Sequence, residues 1–345
     1  MYRVLAALTT IVALTLFVTP SAAAPLKPGE LGSREAVLAW MNGYRANRDP
    51  AHVPQAVQAM SQLGIFKDPE NAGAFVGFIA GVIATNPSEA EGLIARMLPL
   101  PPEDQWAVVQ AIAYSDLPGW KNLLRTFTER LPARRLMIEK YLDGQLPTLD
   151  QAGFTDEPGA FAKLGGYLGF GDKKKTVALA PSAALLDVLW GYYCATGAFS
   201  PAISRIIAMV SWAKERDDVD RLTLGGMAKY TLAANAAKDA RLLAMLKSVA
   251  KYYPKETKAE LGEVIEAAET VDLARLRKEA LASIDELKRK GPGYKRDVSL
   301  WGQIGQGALA LGCIGAAAAG QIEFGIPCVV GGAVSSAGLR FWDTQ

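Results

Sequence analysis

The sequence predicts an all-α fold: a solenoid-like array of short antiparallel helix pairs, closed by a C-terminal Gly/Ala-rich helical hairpin. Three observations predict it. Apolar residues recur at helical spacing from residue 34 onward. Prolines and capping residues cut the chain into short segments at a near-constant interval. The C-terminal stretch holds two small-residue apolar runs around a polar tip. No convincing alternation of the strand type occurs. Half of the 345 residues are hydrophobic, enough for a sizeable buried core.

The chain opens with Arg3 and the uncharged apolar run Val4 to Val18. Pro20 breaks that run, and Ser21-Ala22-Ala23 supplies small residues. A basic residue, an apolar stretch and a small-residue site form a secretory signal over residues 1–23, with the cut after Ala23. The apolar run is shorter than the ~20 residues a membrane span needs. No cysteine follows it to carry a lipid. A periplasmic or secreted location follows. Lys and Arg number 37 against 35 Asp and Glu, a balance that gives no electrostatic reason to expect nucleic acid.

Residues 28–146 read as an N-terminal helical-repeat lobe. Pro54 to Pro87 and Pro69 to Pro102 are each 33 residues apart, and Pro87 to Pro118 is 31. That interval holds two short helices and matches a helix–turn–helix repeat in size. The consensus residues of tetratricopeptide and ankyrin repeats are absent. Asp68-Pro69 and Asn86-Pro87 read as helix starts, because proline in the first turn forfeits no hydrogen bond. Between the prolines lie apolar stripes such as Trp106, Val109, Ile112 and Ala113, then Trp120, Leu123, Leu124 and Phe127.

Residues 147–180 are rich in Gly and Lys and read as a loop or linker. A second helical lobe follows over 181–290, with helices at about 182–196, 201–214, 217–236, 238–253, 255–269 and 271–290. Within it, Leu186-Asp187-Val188-Leu189-Trp190-Gly191-Tyr192-Tyr193-Cys194-Ala195-Thr196-Gly197 resembles a recurrent element of uncharacterised bacterial exported α-helical proteins. There an aromatic helix leads through a Thr-Gly turn into another helix. The resemblance covers about 25 residues. It implies helix and no chemistry.

Tests for chemistry return little. His52 is the only histidine and sits between two prolines, where a surface or capping role fits. No nucleophile system or zinc set can be assembled around one histidine. The acids, among them Glu89, Glu91, Asp217, Asp218, Asp220, Glu260 and Glu263, fall on polar faces or at helix starts. None stands out as a buried acid, so a carboxylate-based hydrolase is the lesser alternative. Gly165 to Thr176 departs from the phosphate-binding loop, because Asp172 separates Gly171 from Lys173 and no strand precedes it. No catalytic, metal or cofactor residue is assigned.

Gly73, Gly77 and Gly81 recur every four residues and make one smooth ridge for close helix packing. The C-terminal hairpin covers 296–342. Its halves run from Trp301 to Gly320 and from Phe324 to Trp342, and Gly312 and Gly320 are further packing glycines. Basic residues flank it on the exported side, against the positive-inside rule, which favours a hairpin packed on protein over one inserted in a membrane. Cys313 and Cys328 lie at similar height on either side of the tip and are the disulfide candidate. Together these features suggest a non-enzymatic exported protein-binding or scaffold module with an unidentified protein partner. The alternative is a membrane-associated protein that uses the glycine-rich hairpin. Thiol titration of the unreduced, denatured protein is expected to find one reactive thiol, that of Cys194; three would exclude the bridge.

Overall fold

The computed structural model describes residues 30–151, 179, 181–215 and 218–271, with residues 273, 275, 276, 278, 279 and 282 beyond them. The signal 1–23, most of the Gly/Lys-rich loop and the 296–342 hairpin lie outside the described residues. So do Cys313, Cys328, Gly312 and Gly320. The described residues are all-helical, with twelve α-helices, several short 3₁₀ turns and no strand.

Local chemistry sets the helix limits. Helix α1 (Arg34–Gly43) starts where the Ser33 hydroxyl accepts from the Ala36 N–H at 3.2 Å. Asp49 caps a short turn, Pro50–His52, that leads into α2 (Val53–Gln62). Gly64, at φ +69°, ends it in a left-handed conformation. Asp68 caps the turn Pro69–Asn71 ahead of α3 (Gly73–Thr85). Asn86 closes α3 instead of opening α4. Its side-chain amide donates back to the Val82 carbonyl at 2.8 Å, so the expected helix start at Asn86-Pro87 falls a few residues late.

Four short helices follow: α4 (Ala90–Met97), α5 (Gln105–Tyr114), α6 (Trp120–Phe127) and α7 (Arg135–Leu142). The second part begins with α8 (Ala183–Thr196). Ser182 caps it, and Gly197 at φ +67° terminates it. Then come α9 (Ser204–Val210), set between a π-type turn and a 3₁₀ turn, and α10 (Val219–Ala236), capped by Asp218. Asp239 caps α11 (Ala240–Val249), and Pro254 precedes α12 (Lys255–Thr270).

One apolar cluster runs through the described residues from Val37 to Leu276. Its centre is the pair α3–α8. Every residue from Gly73 to Ile83 is buried, and so is every residue from Leu185 to Ala195. A helix that is apolar all round belongs in the interior. Gly73 meets the Ala184 carbonyl, Gly77 the Val188 carbonyl and Gly81 the Tyr192 carbonyl. The partner numbers rise together, so the two helices run parallel. Gly191 answers from α8 against the Ala74 carbonyl. The dominant contact is therefore a parallel one between helices about a hundred residues apart in the chain. The expected scheme of antiparallel neighbours does not contain it. Other neighbours do follow a next-but-one order: α2 packs on α4, α3 on α5 and α5 on α7. Helix α1 closes the third side of α3, with Trp40 and Tyr44 edge-on to Phe78 at 5.4 and 5.1 Å.

Backbone contact at this range leaves no space for a methyl group. A Cβ on Gly77 would lie 2.0 Å from the Val188 oxygen, and one on Gly191 would lie 1.9 Å from the Ala74 oxygen. Gly77→Ala is expected to lower folding stability by about 3 kcal/mol, because a helix must shift. Gly262→Ala on α12, where nothing lies within 4 Å, is expected to raise it by about 1 kcal/mol through helix propensity. Urea unfolding midpoints of the two variants check the pair.

Candidate functional site

The crevice at the junction of α3, α5 and the start of α8 forms the candidate site. Val76 of α3, Trp106, Gln110 and Tyr114 of α5, and Ser182 and Val188 of the α8 segment line it. Its volume is about 110 Å³ and it opens to the surface. A water occupies about 30 Å³ of liquid and ligand pockets begin near 300 Å³, so the space matches a side-chain-sized group.

The polar groups of the wall are engaged in the protein itself. Trp106 Nε1 donates to the Phe66 carbonyl at 3.0 Å. Tyr114 hydrogen-bonds with Gln110 and with Tyr141, and burial raises its pKa. The Ser182 hydroxyl accepts from the Leu185 N–H at 3.1 Å. What remains facing the opening is a mixed surface, more apolar than polar, with the Trp106 indole held in place by its own hydrogen bond.

Asp187 sits directly behind this wall. It is 0 % exposed, and neither carboxylate oxygen has a hydrogen-bond partner among the described residues. Gly73 packs on its Cβ: a methyl on Gly73 would lie 3.1 Å away. Burial alone raises its pKa well above the ordinary carboxylate value, because desolvation disfavours the charged form. Helix α3 has no ionisable residue to oppose this. Asp187 is therefore a neutral acid in an apolar seam, shut off from solvent. The expectation that no acid stands buried and alone is overturned here. The available signal was a single charged residue within the apolar run Ala183–Thr196.

Two other expectations change. Glu260 does not lie on a polar face; it is 1 % exposed and pairs with Lys229 Nζ at 2.7 Å and with Lys214. The same ammonium meets Glu263 at 2.6 Å and Glu279 at 3.0 Å, and Arg275 joins Glu263 at 2.7 Å. Burial by itself lowers the Lys229 pKa, but the three carboxylate bonds outweigh it and leave the pKa raised. His52 is buried instead of at the surface, with Nδ1 2.6 Å from the Asp49 carboxylate. It makes no side-chain cap to α2.

A second polar cluster ties α1 to the later helices. Arg45 pairs with Asp239 at 2.6 Å and stacks 4.3 Å over the Tyr193 ring, whose hydroxyl also donates to Asp239 at 2.8 Å. Cys194 lies beside it as a buried free thiol. Burial, offset in part by Arg45, pushes its pKa up to about 12. Such a thiol is inert. Gly73, Gly77 and Gly81 line the face of α3 that touches α8.

Among the described residues no group of His, Cys, Asp or Glu is placed to hold a metal ion, and no helix is long and apolar enough to cross a membrane. Comparison with protein-family models, with curated proteins and with solved structures finds no match.

Asp187 makes stability depend on pH. Its folded pKa lies above the unfolded value of 3.8, so its contribution is fully present below about pH 4. It is lost as pH rises toward the folded pKa. Asp187→Asn keeps the shape without the charge. The variant is expected to unfold at a higher temperature than the parent at pH 7. The gap should shrink toward pH 4, with a slope of at most about 1.4 kcal/mol per pH unit. Parallel melting curves from pH 4 to 8 check this.

Proposed function

We propose that the mature chain is an exported, non-enzymatic helical-repeat protein that binds another polypeptide. The observation that carries the proposal is the crevice between α3, α5 and α8. It has the volume of one large apolar side chain, and Trp106 and Tyr114 in its wall are held by hydrogen bonds of their own. Anchors of protein interfaces are side chains that fill such recesses.

The wider architecture in this proposal is a solenoid-like stack. The next-but-one packing of α2 on α4, α3 on α5 and α5 on α7 supports it, since helix pairs stacked in that order build extended binding surfaces. The residues 1–23 act as the export signal and place the protein in the periplasm or outside the cell. In this proposal the 296–342 segment, which lies outside the described residues, pairs with protein in preference to entering a membrane.

Gln110→Phe tests the proposal, because Gln110 lines the crevice and is only half-buried. The parent protein, immobilised and exposed to periplasmic extract, is expected to retain a partner that the folded variant loses by tenfold or more. Equal retention by both would remove the crevice as the binding site.

A further inference from the structure

Past α12 the chain returns to the Lys229 network. Val271 makes the turn at φ +55° and is 70 % exposed. A β-branched residue in the left-handed region is strained, because its Cβ crowds the backbone. Beyond it, Leu276 is buried in the apolar cluster and Leu273 packs partly against it. The other hold on this segment is ionic.

Lys229 of α10 is the centre of that hold. Its ammonium is 4 % exposed and meets Glu279 at 3.0 Å, together with Glu260 and Glu263 of α12 at 2.7 and 2.6 Å. Arg275 reaches back to Glu263 at 2.7 Å and bonds Glu279 at 3.1 Å, with the Glu266 charge acting on it as well. Lys214, in the turn after α9, completes the cluster at Glu260. Glu260 is buried, whereas Arg275 and Glu279 are about half exposed. Protons and water therefore reach the cluster first from the side of residues 273–279.

We propose that residues 273–279 form an acid-released strap, which Lys229 holds against α10 and α12 at neutral pH and which lets go when Glu263 and Glu279 are protonated, while the α3–α8 core stays folded. Burial alone would raise the Glu263 pKa, but its bonds to Lys229 and Arg275 outweigh that and leave it below the ordinary 4.5. The Glu263 contribution is thus present above about pH 4.5 and lost as pH falls through the lower folded value. Lys229, with its pKa raised, keeps its charge throughout this range. A buried ammonium stripped of its carboxylates must be hydrated, and the half-exposed strap is the part that can move to admit water. Release also frees Val271 from its strained conformation. Asp187 responds to acid with the opposite sign, since its contribution to the core is fully present below about pH 4. Acid therefore loosens the strap and favours the seam of α3 and α8. The strap does not depend on what the crevice binds.

Hydrogen–deuterium exchange of the mature protein, read by mass spectrometry as protection relative to the intrinsic rate at each pH, tests this. Between pH 7 and pH 3.5, protection of peptides covering 273–279 is expected to fall by about tenfold or more, while peptides covering 73–83 and 185–195 keep theirs. The double variant Glu263→Gln, Glu279→Gln is expected to show the low strap protection already at pH 7, with no further fall in acid. Val271→Gly, which takes a positive φ without strain, is expected to keep the strap severalfold better protected than the parent at pH 3.5. Equal strap protection at the two pH values would overturn the proposal. So would a proportional loss in strap and core, in the parent or in the double variant, because the strap would then not separate from the fold. Retention of the parent's pH profile by the double variant would overturn it as well.

Discussion

The approach of α3 to α8 at backbone distance is the constraint on which the remaining packing depends. Helix α3 is apolar on every side, so it cannot form a stable surface helix and must be enclosed. Helix α8 encloses it along the glycine ridge, α5 lies on a second side, and Trp40 and Tyr44 of α1 lie on a third. Glycine in a helix interior costs about 0.5–1 kcal/mol each relative to alanine. Gly73, Gly77, Gly81 and Gly191 together therefore carry a cost of a few kcal/mol. What offsets it is the contact itself, in which eleven consecutive residues of each helix are removed from water. The chain on either side of residues 152–178 is thereby joined in one core.

Burying charge is the second problem this fold solves, and it does so in three ways. Lys229 is surrounded by Glu260, Glu263 and Glu279, with Arg275 and Lys214 neutralising the surplus. A buried pair of this kind adds little net stability, but removing one member leaves an uncompensated ion. The network therefore locks α10 to α12 in one register. Arg45 and Asp239 remain partly hydrated at the seam of α1, α8 and α11, where Asp239 also caps α11. Asp187 takes the third course. It has no partner among the described residues and no solvent, so it holds its proton. A carboxylate deployed for acid–base work needs access to the proton it moves, and Asp187 has none.

Several helix starts were legible in the sequence from the capping residue that marks them. Ser182, Asp218 and Asp239 announce α8, α10 and α11, and the observed starts lie within two residues of the expected 182, 217 and 238. Asn86 misled because the same amide that can cap a following helix can also bond backward to the helix it ends. The glycine ridge of α3 is visible in the sequence, but its partner is not. Helix α8 offers one glycine, Gly191, among Ala184, Val188 and Ala195, and no local pattern gives a parallel contact across a hundred residues. Glu260 looks solvated by spacing along α12. Its burial depends on Lys229, on a helix whose relative placement no periodicity records. Asp187 was visible as the single acid of the apolar run Ala183–Thr196, but its lack of a partner depends on α3, whose placement against α8 no local pattern records.

The crevice and the α6–α7 hairpin meet on adjoining helices. Helix α5 supplies Trp106, Gln110 and Tyr114 to the crevice, and it packs on both α6 and α7. Tyr114 hydrogen-bonds Tyr141 of α7, whose ring lies edge-on to Trp120 of α6 at 6.4 Å. Displacing the hairpin therefore strains a hydrogen bond in the crevice wall. Strain passes through such a chain because packed aromatic groups have few alternative arrangements. The crevice wall and the α6–α7 hairpin thus share one support in α5.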